Sequence, residues 1–104
     1  MSLHKRLHLW IAEPPIHIEK DLIGAYAMTH YVCLLGLLTH VAWLAKFFLL
    51  GDTLLGTFNM ASVLIFAVAV ILVRRGRLTL ALSIASIEAI CHAIVATVHL
   101  GWEA

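Results

Sequence analysis

The stretch that decides the fold is LTLALSIASIEAICHAIVATVHL, residues 78–100. Wound as a helix at about 1.5 Å per residue it is about 34 Å long, enough to cross a hydrocarbon core of about 30 Å. It contains no Lys, Arg or Asp, yet Glu88, His92 and His99 stand among its alanines, isoleucines and valines. Two runs of the same kind precede it. Residues 22–50 have Lys46 as their one strongly charged side chain inside the run, and residues 54–73 have none. The expected fold is all-α and integral to a membrane, with three transmembrane helices over about 22–50, 54–73 and 78–100. A segment 1–21 precedes the transmembrane domain 22–104. The connections "GDT" and "RRGR" are short enough to make the helices antiparallel neighbours.

Composition agrees with that class. Of 104 residues, 62% are hydrophobic and 12% charged, more apolar surface than a soluble core of this size can hide. A net charge of +1 gives no reason to expect a nucleic acid or an acidic substrate as partner. Seven histidines are the informative excess. Cys33 and Cys91 both lie inside apolar runs and read as small buried groups or weak ligands, not as a disulfide framework. The opening "MSLHKRLHLWIAEPPIHIEK" lacks the long apolar stretch of a cleavable signal. Residues 2–13 suit a short helix in the headgroup region, stopped by Pro14 and Pro15.

Basic residues set the expected direction. Arg74, Arg75 and Arg77 fill the second connection while the first holds only Asp52, so "RRGR" is expected in the cytoplasm, with Lys5 and Arg6 on the same side. Three crossings leave "GWEA" outside. A cytoplasmic output domain beyond it would need a further odd number of crossings, as in half of a six-helix bundle or a dimerising fragment.

Polar residues fall on stripes. Tyr26, His30, Cys33, Leu37 and His40 follow steps of four, three, four and three, with Thr29, Gly36 and Trp43 beside them. On the third helix Ala81, Ala85, Glu88, His92, Ala96 and His99 share a face, and the second contributes Gly56, Asn59 and Ser62. An ionisable group at the centre of a lone helix costs roughly 3 kcal/mol or more, so these side chains are expected to face protein. The plain reading pairs His92 with Glu88 along one helix and His40 with Asn59 or a backbone carbonyl, Asn59 being structural. The sharper one is a bound cofactor. His40, His92, His99 and Glu88 form a candidate ligand set for copper or zinc, imidazole being a common metal ligand. His40 and His92, with His30 as a further candidate, are also conceivable axial ligands of haem b, Gly36 making room for the ring. The metal ion is preferred. No HExxH or CxxC is present, and His4, His8 and His17 are assigned to the headgroup surface.

One resemblance rests on His40, the "FN" of Phe58 and Asn59, the "RRGR" turn, "IEAICH" (residues 87–92) and "LGWE" (residues 100–103). From about Tyr31 onward the chain resembles the first half of the six-helix membrane module at the N-terminus of bacterial nucleotide cyclases, both class III adenylate or guanylate cyclases and some diguanylate cyclases. The resemblance implies a membrane anchor and input domain of a homodimeric signal-transduction protein in the bacterial inner membrane, whose histidines sense a metal, redox state or haem ligand for a cytoplasmic cyclase domain in the parent chain. In that family the module continues past "GWE" with a further histidine-bearing segment and three more helices. No carboxylates or nucleotide loop for cyclase chemistry are present here, so this segment is expected not to be an enzyme. The competing expectation is a small haem-binding anchor subunit of a respiratory complex, although the ligand and quinone motifs of such anchors are missing around His30 and His92.

Overall fold

The computed structural model describes residues 2–101. Helix α1 spans Leu3–Ala12. The Ser2 hydroxyl accepts the Lys5 N–H at 3.3 Å, which supplies one of the acceptors that a helix start needs, and the helix stops before Pro14 and Pro15. A 3-10 turn, Lys20–Leu22, leads into α2, Ile23–Leu49. Helix α3 spans Thr53–Arg74 and α4 spans Leu78–Leu100. Asp52 caps α3 by accepting the Leu55 N–H at 3.1 Å. Gly76, at φ +81°, turns the chain between α3 and α4 through a backbone region that suits glycine.

Three helical stretches are long and apolar enough to cross a membrane: Lys20–Leu49, Thr53–Arg74 and Leu78–Leu100. Many of their large apolar side chains stay exposed, among them Leu35, Leu38, Leu64, Ile87, Ile94 and Val98. In water that arrangement would be untenable, and in lipid it is ordinary. The interior is correspondingly built from small and polar groups, as membrane helices use close approach in place of a hydrophobic drive. Tyr26, Cys33, Phe66, Ala69, Val73, Ala81 and Ala85 form one buried apolar cluster, Ile11, Phe47 and Leu55 are buried outside it, and His30, Asn59, Ser62 and Glu88 are buried polar residues.

Helices α2 and α3 meet where one of them lacks a side chain. A Cβ on Gly36 would run into the Phe66 ring, and one on Gly56 would come within 2.9 Å of the Phe48 ring. At the far end of α3, Arg74 stacks over the Trp10 ring, 4.4 Å from its centroid, and Trp10 lies 4.8 Å from the His30 ring. Helix α3 therefore ends level with His30 and not with the start of α2, which projects about two turns further. That overhang is where the long first run spends its extra length, and α1 meets α2 just past it, at His30 and Tyr31.

A cluster of histidine, glutamate and asparagine between the helices

Glu88 is the most demanding residue in the interior, a carboxyl only 5% exposed on a helix fit to span a membrane. Two neighbours answer it. The Ser62 hydroxyl of α3 donates to Glu88 Oε1, and His40 Nε2 of α2 stands 3.5 Å from Glu88 Oε2. The His40 ring is held from its other nitrogen, because Nδ1–H donates to the Gly36 carbonyl one turn back at 2.6 Å. A carbonyl cannot donate, so the proton must sit on Nδ1, and in the neutral ring Nε2 presents a lone pair toward the carboxyl.

Asn59 joins the remaining members. Its amide Nδ2 donates to the His40 backbone carbonyl, which leaves Oδ1 to accept from His92 Nε2 at 3.0 Å. The two imidazoles meet edge to face with centroids 5.1 Å apart. Phe66 stacks on His40 at 4.6 Å, and Phe58 lies 5.4 Å from His92. All three long helices thus contribute polar groups to one connected cluster. On one side a groove of about 380 Å³ between α2 and α4 opens beside it, lined by His40, His92, Trp43, Phe47, Ala93 and Ala96 among others.

The pairing along one helix expected for His92 and Glu88 is not what forms. His92 turns to Asn59 and Glu88 turns to Ser62 and His40, since α3 presents its short polar side chains between them. His40 takes the backbone-carbonyl bond, to Gly36, and Asn59 reaches its main chain, not its ring.

The candidate ligands do not all gather. His40, Glu88 and His92 belong to the cluster, but His99 Nε2 lies 3.1 Å from both carboxylate oxygens of Asp52, tying the end of α4 to the first connection. His30 is about 15 Å from His40 along α2. Its Nδ1–H donates to the Ile11 carbonyl at 2.9 Å, so it fastens α1 to α2. Among the described residues no group of three or more His, Cys, Asp or Glu is arranged to hold a metal ion. Two groups nevertheless suit one cation. Ligands about 2.0–2.1 Å from a tetrahedral metal stand about 3.3 Å apart, close to the 3.5 Å between His40 Nε2 and Glu88 Oε2, and Glu88 Oε2 has no hydrogen-bond partner. A Gly36 carbonyl fixing the distal nitrogen is the support that a ligating imidazole needs.

Haem fits less well. Axial imidazoles put their nitrogens on the order of 4 Å apart with a flat macrocycle between them, whereas these rings meet edge to face. The space above Gly36 that was to admit the ring is filled by Phe66. Trp102 and Glu103 of "LGWE" lie outside the described residues.

Phe66 was legible in the steps Leu55, Asn59, Ser62, Phe66, Ala69 and Val73, all buried and spaced by four, three, four, three and four. The partnership of Arg74 with Trp10 had no sequence signal, since it joins residues 64 positions apart. No family model, curated protein or solved structure matches this chain.

Proposed function

We propose that this chain is the membrane anchor and input domain of a bacterial nucleotide cyclase, half of an antiparallel six-helix module that acts as a homodimer, with the "RRGR" turn and the N-terminus in the cytoplasm. Within it, His40 and Glu88 hold one transition-metal ion, copper or zinc, and His92 joins them by turning from Asn59. The observation that carries the metal reading is the pairing of His40 Nε2 with Glu88 Oε2 at 3.5 Å, too long for a hydrogen bond and close to the spacing of two ligands on one cation. What supports the cyclase reading is that four residues of the resemblance, His40, Asn59, Glu88 and His92, come from three helices to a single cluster.

The chain's residues have separable tasks. Gly36 and Ser62 orient the two ligands. Asn59 holds His92 in reserve and bonds the α2 backbone, so recruitment of His92 alters the contact between α2 and α3. A bound cation would supply positive charge to a site whose polar atoms otherwise face each other as acceptors. The haem-binding respiratory anchor gains no comparable support, because its ring has no gap to enter.

Metal content tests this, measured on protein purified without metal-affinity resin. About one metal per site is expected in the wild type. His40→Ala and Glu88→Gln should remove it, His92→Ala should weaken binding by more than the roughly ten- to hundredfold typical of a merely supporting residue, and His4→Ala with His8→Ala should leave it unchanged. A wild type that binds no copper or zinc, or inner replacements that bind as before, would overturn the metal reading.

A further inference from the structure

Helix α1 has three different sides. At 100° per residue, Leu3, Leu7 and Trp10 fall within an arc of about 60°, Ile11 flanks it on one side with His8 further round, Arg6 flanks it on the other side next to Trp10, and Lys5 lies nearly opposite. The side with Ile11 and His8 faces the bundle. The Ile11 carbonyl accepts from His30, Ile11 is buried, and His8 Nδ1 is 2.8 Å from the Tyr31 hydroxyl. Leu3 and Leu7 are 82% and 53% exposed, and Trp10, 42% exposed, meets Arg74 and His30 with part of its ring and leaves the rest uncovered.

Position says what covers it. Trp10 is level with Arg74, the last residue of α3, so α1 lies where a membrane span gives way to headgroups. All the Lys and Arg residues except Lys46, six of seven, belong to this end of the molecule. An apolar stripe set sideways to the bundle, with a basic residue at its edge and another behind it, is the pattern of a helix lying in the plane of a leaflet.

We infer that α1 is a lipid-docking surface, seating Leu3, Leu7 and Trp10 among the acyl chains of the adjacent leaflet while Lys5, Arg6 and the arginines of the α3–α4 turn bind anionic phospholipid headgroups. Contact with lipid reaches the bundle through two fixed points. Arg74 both stacks on Trp10 and donates to its carbonyl at 3.4 Å, and His30 holds Ile11. A leaflet that draws α1 outward therefore pulls on the α3–α4 turn and on α2. This inference does not depend on metal binding or on the cyclase assignment.

The test uses the full chain with Trp43→Phe and Trp102→Phe, so that Trp10 is the sole tryptophan. It is reconstituted in vesicles of phosphatidylcholine, alone or mixed with phosphatidylglycerol, and stripped of metal. Lipids brominated high on the acyl chain should quench Trp10 emission, more strongly in the anionic vesicles, and aqueous iodide should quench it several-fold less than in the unfolded chain. Leu3→Gln with Leu7→Gln should reverse the two sensitivities with helicity retained, and Lys5→Gln with Arg6→Gln should abolish the difference between lipids. Trp10 open to iodide and untouched by brominated lipid overturns the docking, and equal quenching in both vesicle types in the unsubstituted Trp10 chain overturns the anionic partner.

Discussion

Asn59 ties three helices together, since from α3 it bonds the α2 backbone with its nitrogen and the His92 ring on α4 with its oxygen. Hydrogen bonds between membrane helices are worth less than burial suggests, averaging about 0.6 kcal/mol and reaching about 1.7 kcal/mol, because the separated helices find other partners in lipid. Asn59→Leu removes two such bonds and should lower stability by about 1–3 kcal/mol. Ser62→Ala removes one, leaves Glu88 Oε1 without its donor, and should cost about 1–2 kcal/mol. Reversible unfolding by sodium dodecyl sulfate in bicelles would order the two variants. A Ser62→Ala effect larger than that of Asn59→Leu would mean that Glu88, and not Asn59, is the hub. At this scale the sequence was half legible. Steps of three and four identified the inward faces carrying His40, Asn59, Glu88 and His92, but a period fixes direction around a helix and says nothing of which neighbour lies at the same height. The period therefore offers Glu88, on its own helix, as a partner for His92, whereas the ring meets Asn59 of α3.

The approach of α2 to α3 depends on a hydrogen atom where any other residue would carry carbon. Gly36 faces the Phe66 ring too closely to admit a Cβ, and that ring stacks on His40. Gly36→Ala must displace Phe66 or separate the helices, and overpacking of this kind costs about 1–3 kcal/mol. Phe66→Leu in the same chain gives the methyl group room, so the double variant should melt nearer the wild type than Gly36→Ala does, a non-additivity expected of residues in contact. Additive melting shifts would show that the two do not share the space. At the α3 start, Asp52 both caps the helix and meets His99. Asparagine caps as well as aspartate, so Asp52→Asn should keep α3 intact while loosening the end of α4, detectable as faster amide exchange confined to the last turn near His99. The helix boundaries themselves were read to within a residue, 22–50 against Ile23–Leu49 and 54–73 against Thr53–Arg74, because lipid-facing length is set by composition alone. The docking of α1 was not readable to that degree, since the contacts that hold it join residues 19 and 64 positions apart.

Across the whole molecule the charges divide unevenly between its two ends. Lys5, Arg6, Lys20, Arg74, Arg75 and Arg77 belong to one end, while the other has the Asp52 and His99 pair and Lys46, whose ammonium sits over the Trp43 ring at 4.8 Å. Excess Lys and Arg in short loops are retained on the cytoplasmic side, so a cysteine at Glu19 should resist a membrane-impermeant thiol reagent applied to intact cells, and one at Thr53 should react. Both positions are exposed, which makes failure to label a matter of sidedness and not of burial. The native thiols leave a clean background. Cys33 is buried and Cys91, though exposed, opens on the apolar groove between α3 and α4 beside Ile87 and Ile84, where a charged reagent in water cannot follow. Permeabilised cells provide the positive control, in which both engineered thiols should label. Labelling at Glu19→Cys and not at Thr53→Cys from outside would invert the topology, and it would put α1 on the outer face, where its basic residues would meet a different leaflet.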